Sequence, residues 1–319
     1  MAGKWPPLPY SFALTPDQPT PAADTPKGPS NLRLRVIWGA IAAAGLFGCT
    51  FAGPVTFGLF FAGVQAIMLK EFYRIMRAEG LKPAFWLGIV ISIALFGVVW
   101  EAAWLQHTAG EAVAVVAGLF HQQLVVLGAL LVLLPTLLVL REIQAWPRKG
   151  TPTSPFVSVG VTLLGLLYVS LPMALLNVIA FTERGGYTPR HVFLLIFLIW
   201  AADTGAYFAG KNFGRHKLAP SISPGKTWEG WAGGALLTLA VGWAAGYFVP
   251  DVPLAHRLVA AGVVAVFGPL GDLAESMLKR SAGVKDSGTF LPGHGGLLDR
   301  FDAFLLVLPV LALLQALAG

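Results

Sequence analysis

The chain has 319 residues, of which 56% are apolar and only 12% charged, and Lys plus Arg exceed Asp plus Glu by six. Soluble domains carry about twice that charged fraction, so with a mean hydropathy of +0.70 the composition describes an integral membrane protein in a lipid bilayer. The basic balance fits loop Lys and Arg on a membrane protein better than a nucleic-acid surface, and the single cysteine, Cys49, excludes an internal disulfide and a CxxC metal site.

Residues 1–30 are rich in Pro, Thr and Asp without an apolar core, which predicts a disordered tail rather than a signal peptide. At about 20 apolar residues per span, the rest predicts an all-α polytopic protein of about nine transmembrane helices. They fall near 35–52, 54–72, 84–106, 120–141, 157–181, 191–210, 230–249, 257–278 and 301–317. Gly53-Pro54 separates the first two, which are read as a tight hairpin or one kinked element. Residues 107–119 form a helical extension or a surface segment. Charge placement decides between eight and nine spans. With a cytoplasmic N-terminus, 19 of the 22 Lys and Arg fall on the inside, leaving Arg184, Arg190 and Arg257 outside; the positive-inside bias therefore favours nine. Residues 31–185 carry little chemistry. The C-terminal region, 186–319, holds two cytoplasmic loops, 211–229 and 279–300, that carry much.

Acidic residues inside apolar spans are the first functional signal. Asp203 lies in the sixth span, Asp272 and Glu275 in the eighth, and Asp302 at the start of the ninth. A carboxylate in hydrocarbon costs roughly 2.5 kcal/mol or more, so it needs a polar cavity, a partner or a metal. Asp272, Glu275, Ser276 and Lys279 recur at i, i+3, i+4 and i+7, one face of a helix. Asp299 and Asp302 share a face if the ninth helix starts near Leu298. Salt bridging to Lys279 or Arg300 is the plain alternative for any one of these acids. Glu101, between two tryptophans, reads as interfacial.

Hard oxygen ligands without Cys point to Mg²⁺. The loop from Ser276 to Asp302 sets Lys279, Arg280, Lys285 and Arg300 among five glycines. Gly295 and Gly296 permit close approach of backbone N–H groups to phosphate, although a GHGG string alone reads more readily as a plain flexible turn. Ser-Pro-Gly-Lys-Thr at 223–227 lacks the upstream glycine spacing and preceding strand of a P-loop.

The spacing Ser276-x-Leu278-Lys279-Arg280-x₄-Lys285-Asp286-x-Gly288-x₂-Leu291-Pro292-x-His294-Gly295-Gly296-x₂-Asp299-Arg300-x-Asp302 resembles the signature of phosphatidate cytidylyltransferases (CDP-diacylglycerol synthases). Asp203 to Tyr207, Ile222 to Gly230 and Gly271 to Ser276 also look like that family, with Gly225 standing where a lysine is expected. The resemblance covers about residues 195–305. It implies an Mg²⁺-dependent homodimer that condenses CTP with phosphatidic acid to give CDP-diacylglycerol and pyrophosphate, with K⁺ as a second cation. It also implies a bacterial inner-membrane enzyme whose site faces the cytoplasm. Asp272 and Asp299 match the family's metal-binding aspartates. On this reading Lys226, Lys279, Arg280, Lys285 and Arg300 hold phosphates, and His294 orients them. Asp203, Asp302, Ser223, Ser276, Asp286, Gly295 and Gly296 complete the substrate site. A phosphomonoester is already largely ionised near neutral pH, its second pKa being about 6. Positioning and charge, rather than a strong base, then carry the reaction. The rival readings are a CTP-dependent transferase acting on another lipid and an ion-coupled transporter using the buried acids as a relay.

Overall fold

The computed structural model describes residues 30–108, 133–145, 154–182, 186–291 and 295–318. The expected tail, most of the 107–119 segment, the first part of the fourth span and His294 lie outside the described residues. Helices α1 (Ser30–Phe51) and α2 (Pro54–Ala78) are separate. Gly53, at φ 138°, breaks the chain between them, and Pro54 opens α2, where its missing N–H costs nothing. Helix α3 spans Phe85–Thr108, a helix runs over 133–144 (α4), and α5 occupies Pro155–Ala180. A two-stranded hairpin, β1 (Phe181–Thr182) with β2 (Gly186–Tyr187), leads to α6 (Pro189–Phe213). A second hairpin, β3 (Lys217–Ala219) with β4 (Ser223–Thr227), precedes α7 (Trp228–Ala244). Helices α8 (Leu254–Ser281) and α9 (Leu298–Ala318) complete the fold.

Among the described residues, six helices are long and apolar enough to cross a membrane: α2, α3, α5, α6, α8 and α9. The apolar part of α1 (Val36–Phe51) and the 17-residue α7 are shorter. The architecture is all-α and polytopic, and among the described residues two short hairpins depart from it. Both lie between spans, where strand pairing satisfies backbone groups that a helix end leaves open.

The C-terminal helices are packed through small residues. A Cβ on Gly205 of α6 would lie 2.6 Å from the Gly233 carbonyl oxygen of α7, and one on Gly234 would lie 2.6 Å from the Ala202 carbonyl oxygen. Gly233 likewise abuts Ala209. With no hydrophobic drive between helices in lipid, close backbone approach supplies the dispersion contact that holds them. Gly271 does the same for α8 and α9, where a Cβ would stand 2.6 Å from the Asp302 carbonyl oxygen. That close approach is what sets Asp302 beside Asp272.

Two prolines interrupt helices with visible consequences. Pro269 in α8 has no N–H for the carbonyl of Ala265, four residues back. Trp231 of α7 supplies the missing donor, its Nε1 lying 2.8 Å from the Ala265 oxygen. In α5, Pro172 follows a π-helical turn, Leu166–Ser170, which widens the helix where the proline denies Tyr168 its usual i+4 donor. The N-terminal core packs around Phe57, Phe61, Met68, Phe72 and Tyr73, all buried on α2. Within it, Gln65 donates to Ser92 (2.7 Å to the carbonyl, 2.9 Å to Oγ), and Ser170 donates to Ser92 Oγ at 2.8 Å. These bonds join α2, α3 and the π turn.

Candidate active site

The polar stripe expected on α8 is present. Ser276 Oγ lies 3.2 Å from Asp272 Oδ1, and Lys279 forms an ion pair with Glu275 one turn away. Helix α9 starts at Leu298. Ligand oxygens of Asp272, Glu275 and Asp302 can all lie within 4.8 Å of one another, making an acidic cluster at the α8–α9 contact.

The cluster is flanked by cations from two directions. Strand β4 delivers Lys226, whose Nζ sits 2.6 Å from Asp272 Oδ2 and donates to the Pro269 carbonyl at 3.3 Å. The hairpin is held for that delivery. Thr227 caps α7 by accepting from the Gly230 N–H at 3.1 Å, the Trp228 N–H donates to the His216 carbonyl, and Glu229 accepts from the Arg215 and His216 N–H groups and the His216 ring. From the other side Lys279 reaches Glu275 and Asp299, the latter at 2.7 Å. Asp203 on α6 is exposed and lies in the electrostatic field of Asp272, Lys226 and Arg300. It is ten residues from the end of α6, about 15 Å at 1.5 Å per residue. A carboxylate held at that depth needs water, a cationic partner or a metal beside it.

Asp299, expected beside Asp272 on a cation, reaches the cluster through Lys279, which pairs with both it and Glu275. Its oxygens also accept from the backbone N–H groups of Ser287 (3.1 Å) and Gly296 (2.9 Å). The Gly296 N–H, expected to face a phosphate, is thus engaged by Asp299. Gly295, at φ 82°, makes the turn that allows this, with the Asp299 carboxylate packed against it. Asp286, Lys285, Arg280 and Arg300 are exposed around the loop, while Ser223, at the start of β4, is partly buried.

Sequence reasoning missed Glu71. This α2 residue is 4% exposed, and its Oε2 accepts from the Leu298 N–H at 2.8 Å and from Ser287 Oγ at 3.2 Å. Gly288 and Gly296 pack directly on its carboxylate. In the sequence Glu71 sits between Lys70 and Arg74 at a span end, where an acid reads as ordinary loop charge. Glu275, expected on the polar face of α8, also joins the acidic cluster.

The donor set suits a hard divalent cation. It consists of three carboxylates and no sulfur or imidazole, and Glu275 is 1% exposed with an Oε1 that accepts no hydrogen bond. Carboxylates between two lysines, on helices inside a membrane protein, fit the chemistry of a membrane-embedded phosphoryl-transfer enzyme.

The chain belongs to the cytidylyltransferase family, whose model matches residues 33–318. The phosphatidate cytidylyltransferase of Bacillus subtilis (strain 168) is 34% identical over 288 residues, covering 90% of this chain and 98% of the relative. That of Staphylococcus aureus (strain COL) is 42% identical over 160 residues, 50% of this chain and 60% of the relative. That of Staphylococcus saprophyticus is 51% identical over 126 residues, 39% of this chain and 48% of the relative. Family and fold together make this a multi-pass membrane nucleotidyltransferase.

Proposed function

We propose that the protein transfers the cytidylyl group of CTP to phosphatidic acid, releasing pyrophosphate and forming CDP-diacylglycerol for phospholipid synthesis. The observation that carries this reading is the carboxylate cluster of Asp272, Glu275 and Asp302 set between Lys226 and Lys279. Asp272, Glu275 and Asp302 would hold Mg²⁺, with Asp299 tied to them through Lys279; the resemblance adds K⁺ as a second ion. Bound there, Mg²⁺ would neutralise polyphosphate charge.

The chain's own groups do the rest. The attacking oxygen of phosphatidic acid is already largely ionised near neutrality, its pKa being about 6, and needs no base. Lys226 and Lys279 screen two polyanions that must meet, and they stabilise charge as pyrophosphate leaves. Arg280, Lys285 and Arg300, exposed on the same side, attract the nucleotide from the aqueous phase. His294 orients a phosphate. A lipid head group enters sideways beside Asp203 while its acyl chains stay in the bilayer. On this reading the protein has nine spans with a cytoplasmic N-terminus, lies in a bacterial inner membrane with its site facing the cytoplasm, and acts as a homodimer.

The test is pyrophosphate release by purified protein from CTP, with and without phosphatidic acid, against a panel of other lipid acceptors. Release should require phosphatidic acid, stop on chelation with EDTA and return with Mg²⁺. Release that ignores the lipid, or prefers a different acceptor, removes the assignment.

A further inference from the structure

The π-helical turn in α5 has a product that the acidic cluster does not explain. Its central residue, Tyr168, is carried on a turn braced from two sides. Ser170 bonds to Ser92, which in turn receives Gln65, and the Tyr168 ring rests near Phe72 of α2, with centroids 6.2 Å apart. The Tyr168 hydroxyl is fully buried and has no hydrogen-bond partner among the described residues. Just beyond the π turn, Leu171–Ala174 packs against α9, the helix that carries Asp302, and Asp302 and Glu275 act on the Tyr168 hydroxyl electrostatically. Glu275 Oε1 is likewise buried and accepts no hydrogen bond. A buried donor and a buried acceptor that each lack a partner are both costly, and native proteins rarely keep either without use.

We infer that Tyr168 is a positioning residue of the active site, its neutral hydroxyl donating to the carboxylate shell that Glu275 and Asp302 form around a divalent cation. The inference rests on the reading of that cluster as a cation site. A donor bonded to a ligand's outer oxygen fixes the carboxylate's rotamer and directs its other oxygen at the ion. The rigid α2–α3–α5 bonds supply the fixed base that such a task needs. The π turn, which precedes the C-terminal region 186–319, thereby supports the site that region builds. A π turn is well suited to this, because the extra residue re-aims one side chain without ending the helix.

The experiment is Mn²⁺ binding followed by electron paramagnetic resonance on the full-length protein in detergent, with thermal unfolding measured alongside. Tyr168→Phe keeps the ring and removes only the oxygen. It should bind Mn²⁺ about tenfold more weakly, as loss of such outer-shell bonds commonly does, and show a smaller Mg²⁺-induced rise in Tm. Without metal its Tm should equal or exceed that of the wild type, since no hydrogen bond is lost. Tyr73→Phe is the control: its hydroxyl donates to the Thr162 carbonyl at 2.9 Å, so it should lose Tm yet bind Mn²⁺ normally. Equal Mn²⁺ affinity in wild type and Tyr168→Phe, or the same loss of affinity in Tyr73→Phe, overturns this role for Tyr168 and leaves the cation site standing. A wild-type protein that binds no Mn²⁺ overturns the cation site and this inference together.

Discussion

The Glu71 carboxylate accepts the backbone N–H of Leu298 at 2.8 Å, across 227 positions of sequence. Leu298 is the first residue of α9, so an acid from α2 caps the helix that carries Asp299 and Asp302. A negative charge at a helix N-terminus satisfies an open N–H and complements the helix dipole. The same oxygen takes Ser287 Oγ, fastening the middle of the loop and its α9 end at once.

Glu71→Ala should therefore loosen the loop as well as the helix start. It strands the Leu298 N–H and the Ser287 hydroxyl, each at a cost of about 1–3 kcal/mol if left buried. Thermal unfolding in detergent should shift down and turnover should fall, with Glu71→Gln intermediate because it keeps one acceptor oxygen. An unchanged Tm in Glu71→Ala would show that the clasp contributes nothing.

Asp272→Asn and Asp299→Asn should both abolish Mg²⁺-dependent conversion of labelled CTP to CDP-diacylglycerol, yet differ in stability. The Asp272 side chain is 42% exposed and meets Lys226 at the edge of the site, so its neutralisation should leave Tm nearly unchanged. Asp299 is 9% exposed and holds Lys279 and two backbone N–H groups. Its amide cannot accept all of these, and Tm should fall. Near-normal turnover in either variant would remove that residue from the site.

Lys226→Met keeps the stem that lies along α8 and deletes the charge beside Asp272. Removing one preorganised charge-stabilising donor typically costs about 10²-fold or more in turnover. The expected signature is a fall in kcat at saturating CTP with the protein still folded. A change confined to KM would instead make Lys226 a simple binding contact.

Gly233→Leu should force α6 and α7 apart, because the side chain would enter Ala209. Overpacking a tight contact costs about 1–3 kcal/mol, and here it also draws β4 and Lys226 away from Asp272. Gly225→Ala is the matched control, since a Cβ there meets nothing within 4 Å. Equal activity in the two variants would dissociate α6–α7 packing from the site.

Trp231→Phe should leave the Ala265 carbonyl without its donor and lower stability by about 1 kcal/mol. Pro269→Ala restores a backbone N–H to that carbonyl. In the double variant the cost of losing the indole should shrink, a coupling that a double-mutant cycle reads directly. Strict additivity would mean that the tryptophan acts only through packing.

Much of this molecule was legible in one dimension. Apolar runs ending at prolines and glycines locate the helices within a few residues, because hydrocarbon demands closed backbone hydrogen bonds over a set length. The i, i+3, i+4, i+7 spacing of Asp272, Glu275, Ser276 and Lys279 set them on one face, since helical pitch is local. The spacing from Ser276 to Asp302 was specific enough to indicate the family to which the chain belongs. Tertiary structure alone decided which acids meet. Gly271 lets α9 approach α8 closely enough to set Asp302 beside Asp272, while Asp299 grips the loop and Lys279. It also decided that Glu71, from a region whose sequence reads as little more than hydrophobic spans, reaches the loop and the start of α9. Local periodicity carries the direction a side chain takes from its own helix. It carries nothing about which helix lies opposite, and that is set by where small residues allow two backbones to touch.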